Sequence, residues 1–124
     1  MAAPNIVNVT SIYGKTVFDA DISTSDDAIL TNAAASGKLL KVNSLIISNI
    51  DGGSAADITV TIKDASGTLK AKLANTISVP NDATLVIISK DSAIYLEEDM
   101  AIHLDASVAS DLAAVCSYDE IDDA

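Results

Sequence analysis

Residues 39–63 constrain the fold of this chain more than any other stretch. Their sequence is LLKVNSLIISNIDGGSAADITVTIK, in which threonines and a lysine alternate with the apolar residues Ile58, Val60 and Ile62. Strict alternation places the apolar side chains on one face of a strand and the polar side chains on the other. We therefore predict a half-buried strand here.

The preceding run, residues 45–47, is apolar at every position, which predicts a more central strand. Between the two strands lies Asp51-Gly52-Gly53, a sequence typical of a turn. A phosphate-binding loop is not indicated, because neither a Lys-Ser/Thr pair nor a helix follows the glycines. We predict that residues 45–47 and 57–63 pair as a hairpin around this turn.

Similar patterns predict short strands along the rest of the chain. These are residues 5–12, 16–22, 28–31, 68–73, 76–79, 84–89, 93–96, 100–106 and 111–121. We expect Gly14 to turn the chain, Phe18 and Ile22 to share a face, and residues 84–89 to lie in the middle of the core. Lys70 and Lys72 are typical of a sheet edge, and Pro80 ends a strand because it has no N–H to donate.

Seven to ten strands at intervals of about ten residues predict an all-β fold. We expect one antiparallel β-sandwich or jelly-roll-like barrel over residues 1–124, with an N-terminal segment, 1–9, that extends to make contacts. Residues 32–38 are predicted to be an exposed connection. A helical turn over residues 32–36 is the alternative, since alanine favours helix and Gly37 would cap it.

The charge balance argues against several partners. The chain has 7 lysines, no arginine and 18 acidic residues, giving a formal net charge of −11. Nucleic acids and anionic membranes both need clustered cations, so neither is expected to bind. The apolar run at residues 85–88, like every other uninterrupted apolar run in the sequence, is too short to span a bilayer, and no secretory signal is apparent, so we expect a soluble protein made in the cytoplasm.

No residue points to catalysis. His103 stands alone, which excludes a histidine triad or a multi-histidine metal site within one chain, and alternation places it at the surface. Cys116 lies in an apolar run with no histidine nearby, so we expect a buried, inert thiol. We therefore predict no catalytic residue, no cofactor and no enzyme activity.

Three acidic clusters could offer oxygen ligands to a cation. They are Asp26-Asp27, Glu97-Glu98-Asp99, and Asp119-Glu120 with Asp122-Asp123. None has the spacing of a calcium loop, and residues 51–57 also fail it, so solvated turns are expected and no metal site is predicted. A glycosidase or other sugar site is disfavoured, because only four aromatic residues are available to stack on a sugar ring.

Several segments resemble small virion structural proteins of tailed phages, especially phages of marine cyanobacteria. The similar segments are residues 40–64, residues 78–102, SYDEI at 117–121, and the opening MAAPNIVNVTSIYGKT. The resemblance implies a β-sandwich accessory subunit of a virus particle without enzyme activity. It implies no functional residue, because the shared motifs are strand and turn patterns.

The prediction from these observations is a structural virion protein made in the host cytoplasm. We expect a capsid decoration or cement subunit that binds coat protein and forms homo-oligomers. The alternatives are a neck or tail-associated subunit and a carbohydrate- or receptor-binding sandwich module. Oligomers that bind no glycan would favour the first, and a monomer that binds glycan would favour the module.

Overall fold

Nine strands form most of residues 5–122, the part of the chain that the computed structural model describes. They are β1 (Ser11–Asp19), β2 (Asp27–Asn32), β3 (Lys38–Asn49), β4 (Ala56–Asp64), β5 (Leu69–Val79), β6 (Thr84–Ile88), β7 (Ile94–Leu96), β8 (Met100–Ala106) and β9 (Leu112–Asp122). The helical element among these residues is one 3₁₀ turn, Lys90–Ser92. No helix in this range is long and apolar enough to cross a membrane.

The strands form two antiparallel sheets. The first sheet has the order β1-β9-β3-β6, with β7 also paired to β3, and the second has the order β2-β8-β4-β5. Since β6 and β7 lie along the same edge of β3, they act as one strand interrupted by the 3₁₀ turn. The chain then passes repeatedly between two four-stranded sheets, which is the connectivity of a jelly roll. The predicted all-β sandwich is confirmed.

The core lies between the sheets and is built of aliphatic residues. Leu45 and Ile47 of β3 face this core from the first sheet, and Ile58 and Val60 of β4 face it from the second; all four are fully buried. The predicted inward face of β4 is thus confirmed at these two positions. Ile62, the third predicted member, is half-buried and packs against the same core.

A β-bulge explains why β3 looks apolar on both faces. Its register with β9 shifts between Val42 and Ser44, so one extra residue separates the two halves of the strand. Leu40 and Val42 are buried before the shift, and odd-numbered residues such as Leu45 are buried after it. Both halves of the strand therefore keep an apolar face against the core.

The predicted hairpin between residues 45–47 and 57–63 is wrong. β3 belongs to the first sheet and β4 to the second, so the Asp51-Gly52-Gly53 segment crosses from one sheet to the other. The physical reason is that both strands have one strongly apolar face. Packing these faces against each other buries both of them. Side-by-side pairing would leave both apolar faces exposed to solvent until another layer packed against them.

Among residues 5–122, β4 and β5 are the consecutive strands that do pair as a hairpin. The carboxylate of Asp64 accepts hydrogen bonds from the backbone N–H groups of Ser66 and Thr68, which fixes the turn. The turn predicted at residues 64–68 is therefore confirmed. β5 is an edge strand on which Lys70 and Lys72 are exposed, as predicted.

Other strand predictions need correction. Residues 5–10 form turns and bends, and β1 then runs unbroken through Gly14, which pairs with Asp119. A long, regular partner in β9 keeps β1 extended across the glycine.

The predicted position of residues 84–89 in the middle of the core is also wrong, because β6 lies at a sheet edge, where Val86 is 55% exposed. Residues 33–37 form a turn, not a helix, and residues 1–4 of the predicted N-terminal segment lie outside the described range.

Two buried asparagines hold the loops that connect the two sheets, through hydrogen bonds to backbone carbonyls. The Nδ2 of Asn49, which is 4% exposed, donates to the carbonyls of Ser54 and Val79, both at 2.9 Å, and its Oδ1 accepts from the N–H of Asp51. In a second site, the Nδ2 of Asn32 donates to the carbonyls of Lys38 and Leu96. Each side chain ties a loop to the end of a distant strand, satisfying carbonyls that would otherwise be buried without partners.

Candidate functional site

An apolar row crosses the outer face of the first sheet. Cross-strand register places Phe18 of β1 beside Val115 of β9, Val115 beside Ile46 of β3, and Ile46 beside Val86 of β6. Their neighbours along each strand face the core, so alternation turns these four side chains outward. Phe18 is 70% exposed and Val86 is 55% exposed. We call these four residues the apolar row.

The surroundings of the apolar row are almost uncharged. Small or hydroxyl residues flank it on both sides in register: Thr16, Ser117 and Ser44 on one side, and Ala113, Ser48 and Thr84 on the other. On this face, the charged residues within the described strands are Lys41 and Asp119, which are direct cross-strand partners of opposite sign. A chain with a net charge of −11 therefore presents one face that is neutral.

The outer face of the second sheet is different in character. A groove of about 350 Å³ is lined there by Asp26, Thr59, Thr61, Lys63, Gly67, Leu69, Lys72 and Asp105. Lys63 forms an ion pair with Asp26, and His103 Nδ1 lies 3.7 Å from the same carboxylate. The hydroxyl of Thr61 and the Nδ1 of His103 are buried without hydrogen-bond partners among the described residues. The groove is polar, of mixed charge, and has no aromatic ring in this lining.

His103 lies on the outer face of β8, as its alternation predicts, but its side chain is only 20% exposed. It packs beside the Lys63–Asp26 ion pair, so it is a covered surface residue and not a solvated one. Among residues 5–122, no group of three or more histidine, cysteine or carboxylate side chains is placed to hold a metal ion. The absence of catalytic and metal sites stays a prediction.

Each of the three acidic clusters has at least one member with a partner within the protein, although Oε1 of Glu98 is buried without a hydrogen-bond partner among the described residues. Glu120 binds Lys15 at 3.0 Å and Lys38 at 3.5 Å, and the lysine hydrogen bond lowers the pKa of its carboxyl group. Asp27 accepts a hydrogen bond from Ser23, and Asp99 accepts one from the N–H of Ala65. These contacts stabilise turns and strand ends. Asp123, a member of the third cluster, lies outside the described residues.

Cys116 is fully buried in β9, and burial raises the pKa of its thiol to about 11. Alkylation requires an accessible thiolate, so we expect iodoacetamide at about pH 8 to label the folded protein at least about a hundredfold more slowly than the unfolded chain. Mass spectrometry with and without urea measures this difference. Rapid labelling of the folded protein would contradict the buried, inert thiol.

The four residues of the apolar row are far apart in the sequence, so the sequence analysis did not identify them as a group. The sequence pattern placed Phe18 on the same face as Ile22, but β1 ends at Asp19, and the two residues are not on one strand. Val17 packs against the core in place of Phe18. Only the register of four strands brings the row together.

No protein-family model and no curated protein matches this sequence. Among solved structures, the chain is similar to VP2 in the subviral particle of infectious bursal disease virus, with a TM-score of 0.48 and 12% identity. The likeness covers 93% of this chain and 33% of the VP2 chain, so this chain spans about a third of that protein's length. The jelly-roll connectivity described above follows from this chain's own strand pairing and does not depend on the likeness.

Proposed function

We propose that this chain is a non-enzymatic structural protein of a virion, a capsid decoration subunit that binds coat protein through the outer face of its first sheet. The observation that carries the proposal is the neutral face with its apolar row on a chain of net charge −11. The central part of a protein–protein interface is depleted in charged residues, because each charge must be desolvated when the partner binds. The acidic remainder of the surface would face solvent and keep the protein soluble.

Two further observations support this proposal. The jelly roll is an architecture found in viral capsid domains, although lectins and cupins share it, so the fold alone does not decide the function. The segments that resemble tailed-phage virion proteins include residues 40–64 and 78–102, which contain Ile46 and Val86 of the apolar row. A subunit made in the host cytoplasm and assembled onto coat protein would need neither a cofactor nor a nucleic-acid surface.

The alternatives are distinguished by their partner. A neck or tail-associated subunit would use the same face on another virion protein. A carbohydrate- or receptor-binding module would use the groove on the second sheet, but the groove lining contains no aromatic ring on which a sugar could stack. The neutral face favours a protein partner over a sugar.

Val86→Asp tests the proposal. Placing an unpaired carboxylate in the apolar row is expected to weaken co-pelleting with empty capsids at least about a hundredfold, because the charge would be desolvated in the interface. The control is Ile77→Asp, which introduces the same carboxylate at a residue that is 42% exposed on the edge of the second sheet. Pelleting across a concentration series gives the apparent affinity of each variant.

The expected result is that Ile77→Asp binds capsids as the unchanged protein does and that Val86→Asp does not. Equal binding by both variants would remove the first sheet from the contact. If the unchanged protein fails to bind capsids, the decoration role is wrong, and purified neck and tail proteins become the next partners to test.

A further inference from the structure

Three of the four sheet edges are interrupted. Edge strand β5 has three register shifts against β4 and a left-handed residue, Thr76, with φ of 47°. The β6–β7 edge is broken by the 3₁₀ turn, and β2 is six residues long with a register shift after Ala28. Such breaks prevent another strand from adding to an edge.

The fourth edge, β1, is regular. All nine of its residues pair with β9 without a register shift, and no other strand among residues 5–122 pairs with it. Ile12, Tyr13 and Phe18 are 57%, 57% and 70% exposed. A long, regular edge with exposed apolar side chains is a template for the addition of a strand.

The sequence of β1, SIYGKTVFD, is self-complementary about Lys15. If a second copy of β1 pairs antiparallel with the first so that the two Lys15 residues meet, Ile12 falls opposite Phe18 and Tyr13 falls opposite Val17. Every apolar residue of the strand then faces an apolar residue of the other copy. This is the pattern that a two-fold symmetric interface requires, because each copy presents the same surface.

Pairing in this register would bring two lysines of like charge together and would need space for the Phe18 ring. Two features of β1 and its neighbour β9 meet these requirements. The Nζ of Lys15 donates to Glu120 at 3.0 Å, and this hydrogen bond raises the pKa of the lysine, so each Lys15 at the two-fold axis brings its own counter-charge. No contact within the chain requires a glycine at position 14, since an added Cβ would meet only Asp119, at 3.9 Å. Glycine within a strand often marks close approach by another chain, and here it leaves room for the Phe18 ring of the second copy.

The pairing would also extend the apolar row. Ile12 is in register with Ile121 of β9 and Leu39 of β3, both buried. With Ile12 of one copy beside Phe18 of the other, the apolar row of one copy continues through these residues of the other. The outward row would then be apolar across both sheets, without a break at the subunit boundary.

We infer that two copies of this chain associate through antiparallel pairing of β1 about Lys15, forming one continuous sheet across a two-fold axis. This inference rests on the edge and its sequence and not on the proposed coat-binding role. Because each copy has a net charge of −11, association should strengthen as salt screens the repulsion between the two bodies.

Lys15→Cys tests the register. Two cysteines facing each other across the axis lie within reach of a disulfide, so mild oxidation should give covalent dimers at least about tenfold faster than it does for the control. The control is Lys72→Cys, an exposed lysine on the interrupted edge strand β5. Non-reducing electrophoresis measures both rates, and buried Cys116 does not interfere.

Sedimentation equilibrium at low and high salt provides the second measurement. We expect a monomer–dimer equilibrium that Tyr13→Asp abolishes and that Tyr95→Asp, at an exposed tyrosine on the opposite edge of the same sheet, leaves intact. A monomer at all salt concentrations, or equal cross-linking of the two cysteine variants, would overturn the inference. Tyr13 lies outside the apolar row, so loss of the dimer with capsid binding retained would separate this inference from the proposed function.

Discussion

Val60→Asp is expected to abolish folding. Val60 is fully buried at the middle of β4, where it packs in the core between the two sheets. A carboxylate there would lose its hydration and find no cation in an aliphatic environment, which costs at least about 4 kcal/mol. A cost of this size approaches the whole stability of a domain at the lower end of the usual range of about 5–15 kcal/mol. Circular dichroism during urea titration should find no cooperative transition in the variant.

Val86→Asp is the matched control for this substitution. It makes the same chemical change in β6, but at a side chain that is 55% exposed on the outer face of the first sheet. The new carboxylate stays hydrated, so the free energy of unfolding should change by no more than about 0.5 kcal/mol. A folded Val60→Asp variant with an unchanged melting temperature would show that β4 presents its other face to the core.

Strand positions could be predicted largely from the sequence, because alternation is a local property. The sequence identified the inward face of β4, the turn at residues 64–68 and the edge position of β5. That β3 and β4 belong to different sheets could not be identified in this way. Two apolar strands separated by a short turn satisfy the same local pattern whether they lie side by side or pack face to face, and only the remaining strands decide between these arrangements.

The candidate interaction surfaces were harder to predict for the same reason. The apolar row depends on the register of β1, β9, β3 and β6, which the bulge after Val42 shifts by one residue. In sequence, Phe18 and Val86 are indistinguishable from core residues. The self-complementary pattern of β1 is present in the sequence. It indicates an interface only once the fold shows that β1 is a regular edge strand.

Asn49→Asp is expected to destabilise the fold strongly, although it exchanges one polar side chain for another. Asn49 is 4% exposed, and its Nδ2 donates to the carbonyl of Ser54, in the connection between β3 and β4, and to the carbonyl of Val79, at the end of β5. A carboxylate of nearly the same shape can only accept hydrogen bonds, so both carbonyls would lose their donor and face a negative charge. Unsatisfied buried groups and an unpaired charge together should cost about 3–5 kcal/mol, measured by urea unfolding at about pH 7.

The control and the pH dependence distinguish this mechanism from a general sensitivity of the loop. Asn81 donates to the carbonyl of Gly52 in the same connection but is exposed, so Asn81→Asp should cost less than about 1 kcal/mol. Burial among carbonyls should raise the pKa of Asp at position 49 above its ordinary value of about 3.9. A raised pKa in the folded state means that the fold is favoured by protonation, so the deficit of Asn49→Asp relative to the unchanged protein should shrink as the pH falls towards 4. A deficit that is equal for both variants, or independent of pH, would show that the two hydrogen bonds donated by Asn49 do not hold the sheets together.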